Sequence, residues 1–435
     1  TPFRVSRNRR GDPTIWRFGN EGGDDSRHPA PAFYRPEVNH AARSHRAEPT
    51  ISSLIMLMPM ELSEILWWAG LVMLGASLVP PSLHYMRAKR ARTEFRGPEP
   101  SDHRPRLTVV LPMKNEAAHV IRKIDEVTSM PYPAGTAKIL LIDSGSIDGT
   151  AAMAEQHLDS LATPHEWAVH ALETPGKSVA VNAALGMLDT EFFVMMDADA
   201  YCSAYSLERL MDWFSDPDIG AVCGQFSSLG MSTEWSYRSR FNTLRVGESV
   251  IDSTPVFEGS VCAFRVAALS RKGIHAGINA DDSQLAIMAR ANGYRAVMDP
   301  DVAFSEDSKR TPRSRRVRRA QGLSRALYQA RGLGRSQGSY GVIMRQALYF
   351  HLLMPWLVIL SVATILVSAA SGVTLASPLE AMWPNAVITV ILLALAFATR
   401  TGRGLFSGIS VLMESHVRLA LGQSLEVWDT NRHDP

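Results

Sequence analysis

The chain has 435 residues, 46% of them hydrophobic and 20% charged, which excludes a disordered polymer and leaves room for two or three domains. Lysine and arginine number 45 against 43 aspartates and glutamates, a net charge of +2, so no global charge excess argues for nucleic acid as a partner. The 3 cysteines, Cys202, Cys223 and Cys262, form no CxxC pair. That argues against a zinc site or disulfide framework and points to a reducing compartment.

The first 50 residues hold nine arginines and no lysine, with clustered Pro, Gly and Asp. They show no hydrophobic period, so residues 1–57 are expected to be disordered or a non-native extension, with a start at Met56, Met58 or Met60. Three later stretches lack formal charge for about the 20 residues that cross a bilayer. They are expected as membrane helices over 62–86, 346–372 and 383–399, although Pro80 and Pro81 shorten the first. A buried core helix is the alternative for each. Basic clusters follow the first (Arg87, Lys89, Arg90, Arg92, Arg96), precede the second (Arg331, Arg335, Arg345) and follow the third (Arg400, Arg403). With three spans all fall on one side, which makes residues 100–335 a cytoplasmic domain of a multi-pass plasma-membrane protein. Residues 403–428 mix apolar side chains with Glu414, His416 and Arg418 and read as an interfacial amphipathic helix.

Within 100–335 the pattern alternates. Strands are expected at 107–112, 138–143, 166–172 and 191–197, with helices at 116–129, 148–160 and 177–188 between them. This rhythm predicts an α/β fold with a mostly parallel, Rossmann-like sheet covered on both faces. Ligands of such sheets sit beyond the carboxyl ends of the strands. Polar residues are placed there: Asn115 and Glu116 after the first strand, Asp143 ending the second, Asp197 and Asp199 after the fourth.

Each motif has a plain and a chemical reading. Asp197 and Asp199, spaced i, i+2 after a buried strand, can share Mg²⁺ or Mn²⁺ with phosphate oxygens; the plain reading is a solvated loop with a capping Asp. Asp143 can accept from the N–H of a base, while Asp148 and Gly145 suit a cap and a turn. Lys177 follows Pro175-Gly176 but lacks the upstream Gly of a phosphate loop. It can face a diphosphate at a helix N-terminus or simply be a surface lysine. Asp281 and Asp282 open a helix, where acids suit the macrodipole; a general base is the chemical reading of Asp282. Residues 309–335 carry ten basic side chains and no acid, a surface for anionic headgroups or for a pyrophosphate.

In this order, LPMKNE, IDSGSIDGT, PGKSVAVNAAL, FFVMMDADA, FEGSVCAFR, NADDSQL and the arginine run resemble the family 2 glycosyltransferases with a GT-A fold, over about 104–330. One span before and two after look like the family's membrane-integrated branch. The resemblance implies a nucleotide-sugar donor, a UDP-sugar by family weight, held by Pro112, Asn115, Glu116, Asp143, Lys177, Asp197 and Arg318. It implies metal coordination at Asp199 with Asp197, Asp282 as the base, and Gly259, Ser260, Asp281, Arg315 and Arg319 on the acceptor side. The acceptor is expected to be a membrane lipid or lipid-linked saccharide. Three departures stand out. Ser144 replaces the second acid of the usual Asp-Asp pair. Ala280-Asp281 replaces Thr-Glu. Arg315 and Arg319 replace the Gln and Trp of Gln-x-x-Arg-Trp. Loss of that Trp argues against a processive polysaccharide synthase, the nearest alternative; a non-catalytic scaffold is the other.

Overall fold

The computed structural model describes residues 60–102, 104–227, 233–270, 272–306, 312–371 and 384–424. The N-terminal extension expected over 1–57 lies outside the described residues, as do Lys309, Arg310 and residues 425–428.

The helix α1 (Met60–Ala91) leads through a 3-10 turn (Arg92–Glu94) to an eight-stranded sheet. Its strands are β1 (Leu107–Met113), β2 (Ala137–Ser144), β3 (Glu166–Leu172), β4 (Phe192–Met196), β5 (Ala200–Cys202), β6 (Ile219–Phe226), β7 (Val261–Arg265) and β8 (Arg295–Glu306), in the order β3-β2-β1-β4-β7-β6-β8-β5. The helices α2 (Val120–Ser129), α3 (Thr150–Ser160) and α4 (Lys177–Met187) connect the first four strands, as the alternating pattern predicts. Strand side chains divide between two cores by their period of two. Leu107, Val109, Leu111 and Met113 join one cluster and Val110 the other, so both faces are covered.

The sheet is mixed. β1, β2, β3 and β4 are mutually parallel, but β7 runs antiparallel to both β4 and β6. The expectation of a mostly parallel sheet holds: six strands run one way, and only β7 and the short β5 are reversed. The reversal matters for the site. An antiparallel β7 brings its own beginning, Gly259-Ser260, to the end of β4, where Asp197 N–H donates to the Ser260 carbonyl at 3.0 Å. β1 and β4 pair only as far as Val110 and Met195. Pro112, two residues beyond, therefore costs no ladder bond on that side, and a crevice opens between the two strand ends.

The remaining helices are α5 (Ser206–Asp212), α6 (Thr233–Ile251), α7 (Asp281–Ala291), α8 (Arg313–Gln329), α9 (Ser339–Leu348), α10 (Met354–Ser371), α11 (Pro384–Ala398) and α12 (Arg400–Ala420); a π turn, Tyr349–Leu353, joins α9 to α10. Two stretches, Leu62–Glu94 and Ser339–Ala370, are long and apolar enough to cross a membrane. The third predicted segment is a 15-residue helix, α11. It counts as a span only together with α12, to which it is bent by 92°. The corner is built locally: Thr399 Oγ1 accepts from Gly402 N–H at 3.0 Å, and a Cβ at Gly402 would lie 1.9 Å from the Ala396 carbonyl. α1 packs on α10 where Gly70 meets Ile365, and Trp67 Nε1 donates to Thr389 Oγ1 of α11 at 2.9 Å.

The other flank of α1 meets the sheet domain. His84 pairs with Glu248 at 2.8 Å, and Gly247 lies so close that a Cβ there would stand 2.0 Å from the Ala88 carbonyl. Gly247→Ala is expected to push α6 off α1 and destabilise the protein by about 1–3 kcal/mol. Thermal unfolding in detergent measures this; an unchanged midpoint would show the contact to be unimportant.

Candidate active site

The site lies beyond the carboxyl ends of β1, β2 and β4. Its floor is two loops tied together. Asn115 adopts φ +52°, the only non-glycine with positive φ among the described residues. Its N–H donates to Ser146 Oγ at 2.8 Å, and its Oδ1 accepts from Ile147 N–H at 3.0 Å. Glu116 N–H donates to Thr150 Oγ1 at 2.9 Å, and Ala117 N–H to Asp148 Oδ2 at 3.0 Å. Asp143 accepts from Ser146 N–H at 3.2 Å and from its hydroxyl. Gly149, and not Asp148 as expected, is the N-cap of α3; Asp148 accepts from Thr150 N–H at 3.1 Å and bridges the two loops. Pro112, Asn115, Glu116 and Asp143 are all buried along one edge.

Ser144, where a second acid was expected, turns away from this edge. Its hydroxyl accepts from Gly176 N–H at 2.6 Å and donates to the Gly176 carbonyl at 3.1 Å. Gly176, at φ +146°, supplies the turn that starts α4. The next residue, Lys177, reaches Asp197 Oδ1 at 2.7 Å and Asp281 Oδ2 at 3.4 Å. It is not a surface lysine. Ser178 Oγ donates to the Ile278 carbonyl at 2.9 Å and holds the loop before Asp281 in place.

Burial works against the Lys177 ammonium, but Asp197, Asp281 and Asp282 outweigh it and hold its pKa above the ordinary lysine value. Burial alone would raise Asp197; Lys177, with Arg315 and Arg319 behind it, holds that carboxyl below the usual range. Asp199 goes the other way: burial and the charges of Asp197 and Glu306 raise it, against the pull of Arg315 at 3.5 Å. Asp282 is pushed up to about 7 by burial and by its neighbour Asp281, against Lys177. A Cβ at Gly259 would stand 3.0 Å from Asp282 Oδ2, so glycine leaves the space in front of this carboxyl open.

The arginine helix has two sides. Arg315 and Arg319, expected on the acceptor side, direct their charge at Asp197 and Asp199. The buried Nε of Arg315 has no hydrogen-bond partner among the described residues. Arg318 lies on the same helix, between them in sequence. Other members of the run hold α12: Arg313 pairs with Glu414 at 2.8 Å, and both terminal nitrogens of Arg316 donate to Ser407 Oγ at 3.2 Å. A Cβ at Gly322 would lie 2.3 Å from the Asn279 carbonyl, so the helix is seated tightly on the loop that carries Asp281.

Four charged residues near the site were missed by sequence reasoning. Glu258, directly before Gly259, lies between Arg245 and Arg238, and these arginines overcome burial to lower its pKa to about 2. Glu306, at the end of β8, accepts from Arg238 at 3.3 Å and from Ser260 Oγ at 3.3 Å. Only the acid beside Gly259 was a visible signal; the arginines come from a helix with no motif.

This sheet, with its acidic edge beyond β4, has the organisation of a GT-A glycosyltransferase. The model of Glycosyl transferase family 2 matches residues 108–276, and the domain built on them is a family 2 glycosyltransferase domain. The chain is 27% identical over 159 residues to the beta-monoglucosyldiacylglycerol synthase of Nostoc, covering 36% of this chain and 33% of that protein. It is 26% identical over 148 residues to glycosyltransferase AglE of Haloferax volcanii, covering 34% and 48%. It thus spans a third to a half of these relatives. Among solved structures, mannosyltransferase PcManGT of Pyrobaculum calidifontis, in complex with GDP-Man and Mn²⁺, superposes with TM-score 0.71 at 29% identity, covering 82% of this chain and 99% of that one.

Ser144→Ala removes the hydroxyl that holds Gly176. The expected result is a loss of about 1–3 kcal/mol of stability, from buried groups left unpaired, together with weaker nucleotide binding as Lys177 shifts. Thermal unfolding with and without nucleoside diphosphate reads both effects. A variant unchanged in both would mean that Ser144 does not position Lys177.

Proposed function

We propose that the protein is a membrane-bound, inverting glycosyltransferase that moves a sugar from a nucleotide-sugar donor to a membrane lipid or lipid-linked acceptor. The observation that carries this reading is Asp282: a carboxyl with a pKa near neutrality, beside the open space at Gly259, across Lys177 from the acidic edge beyond β4. The apolar helices Leu62–Glu94 and Ser339–Ala370 support a membrane setting. The lipid acceptor is supported by the diacylglycerol-glycosylating relative. GDP-Man in the solved neighbour sets guanosine donors beside the UDP-sugars expected from the sequence.

In this reading the nucleoside lies along Pro112, Asn115, Glu116 and Asp143. Arg315 and Arg319, with Arg318, face the diphosphate; the Nε of Arg315, without a partner among the described residues, is a donor for it. The acceptor hydroxyl enters beside Gly259 and Ser260. Its oxygen bonds to the anomeric carbon, the bond from that carbon to the diphosphate breaks, and Asp282 takes the hydroxyl proton. Lys177 holds Asp197 and Asp281 charged and in place, and its own charge keeps the pKa of Asp282 from rising further.

No group of three or more His, Cys, Asp or Glu side chains that could hold a metal occurs among the described residues. The residues that would hold Mg²⁺ or Mn²⁺ are Asp199, with Asp197 beside it, since both offer the hard carboxylate oxygens such an ion takes. Most of its remaining ligands would be donor phosphates, and it would neutralise charge on the leaving diphosphate.

Asp282→Asn is expected to cut transfer by about 10²–10⁴-fold with donor binding retained. The wild-type rate should rise with pH through about 7, as Asp282 loses its proton. Nucleoside diphosphate release from UDP-, GDP- and dTDP-sugars, in the presence of lipid extract, tests both. A fully active Asp282→Asn variant would remove the base assignment. Asp199→Ala should abolish the stimulation of donor binding by Mn²⁺, read by calorimetry; undiminished stimulation would place the ion elsewhere.

A further inference from the structure

Residues 257–260 lead into β7 and form the wall beside Asp282. This wall is tied to three elements. Phe257 N–H donates to the hydroxyl of Ser283, the residue after Asp282, at 3.2 Å. The Ser260 carbonyl accepts from Asp197 N–H at 3.0 Å, and the Ser260 hydroxyl donates to Glu306 of β8 at 3.3 Å. Gly259 presents no side chain, and a Cβ there would stand 3.0 Å from Asp282 Oδ2.

Glu258 has no part in the transfer step described above. Its side chain is 14% exposed and turns to α6. There Arg245 Nη1 donates to one carboxylate oxygen, and Arg238 Nη2 lies 3.5 Å from the other. Arg238 also reaches Glu306 at 3.3 Å. Two guanidiniums thus face two carboxylates, on either side of Gly259-Ser260. A wall that needed only to be held could use a neutral amide. An acid buried against arginines costs the desolvation of every charge, and it leaves a fixed negative charge next to the Asp282 pocket. The arginines keep Glu258 ionised, lowering its pKa to about 2 against burial.

We infer that Glu258 is a positioning residue: clamped by Arg238 and Arg245, it fixes the wall at Gly259 and directs a negative charge at Asp282. Burial and Asp281, on the same helix, raise Asp282 most; Lys177 of α4 lowers it, and Glu258 raises it further. The other titratable neighbours are the thiols of Cys223 on β6 and Cys262 on β7, which burial pushes up and keeps uncharged. Glu258 therefore lifts the base, and the arginines of α6 limit the lift. Gly247 and Glu248, just beyond Arg245, seat α6 on α1, so the packing of α1 decides where these arginines stand. The effect on turnover rests on the proposed role of Asp282; the clamp and its charge do not.

The test is an infrared pH titration of the full chain in detergent. It follows the carbonyl stretch of the protonated carboxyl that Asp282→Asn removes. Glu258→Gln is expected to lower the midpoint by about half a pH unit or more, and Arg245→Gln to raise it by about as much. Arg245→Lys keeps the charge and should stay near the wild type. The double variant Glu258→Gln with Arg245→Gln loses one charge of each sign. Its midpoint should return toward the wild type, whereas two independent lesions would add. The pH dependence of nucleoside diphosphate release from UDP-, GDP- and dTDP-sugars, with lipid extract, should move in step. The inference is overturned if no band depends on Asp282, if the midpoints stay fixed, or if both single variants move the same way. Rates that ignore the shifted midpoints overturn it too. Thermal unfolding checks that each variant is folded. A wild type that releases no diphosphate from any donor removes the glycosyltransferase reading and leaves the infrared midpoints to decide on the clamp, so the two failures are distinguishable.

Discussion

One buried ammonium organises this active site. Lys177 stands between Asp197, after β4, and Asp281, at the start of α7. These segments are far apart in sequence and would repel one another without it. A charge buried in this way persists only when its partners are fixed. Their fixing explains much of the local architecture: Ser144 holds the turn at Gly176, Ser178 holds the Ile278 carbonyl, and Gly322 lets the arginine helix close over the loop before Asp281.

The bridge also sorts the carboxylates into different roles. Asp197 is held ionised by direct contact with the ammonium. Asp199, two residues further and with Glu306 behind it, carries charge that its surroundings do not fully compensate. Asp282, beside Asp281, is lifted toward neutrality. Three aspartates of the same intrinsic acidity thus sit in three different electrostatic settings, and burial acts against ionisation in all three. The differences come from the position of a single lysine and of the arginines on α8.

The apolar helices and their neighbours are part of this arrangement. α1 packs against α6 through Gly247 and the His84–Glu248 pair, and α6 carries Arg238 and Arg245, the partners of Glu258. α12 is held by Arg313 and Arg316, on the helix that presents Arg315 and Arg319 to the acidic edge. One connection runs from the apolar α1 and the other from the amphipathic α12, and both end on charged groups at the site. The apolar part of the chain and the charged edge of the sheet are thus mechanically joined through α6 and α8.

Much of this was legible in the sequence. The short apolar runs located β1 to β4, and the polar residues at their ends marked the edge where Asn115, Asp143, Asp197 and Asp199 gather. Those signals are local: a strand buried on both faces must be apolar along its length, and the loop after it is free to carry chemistry. The antiparallel course of β7, which carries Ser260 to Asp197, was not legible, because strand direction depends on how a long connection returns. Nor was the turning of Ser144 toward Gly176, the pinning of Lys177 between two acids, or the arrival of Arg238 and Arg245 from a helix without a motif. The sequence by itself determined which residue types stand at the strand ends. Only the tertiary structure decided which charges meet, because electrostatic coupling depends on distance in space and on exclusion of water, and neither is set by spacing along the chain.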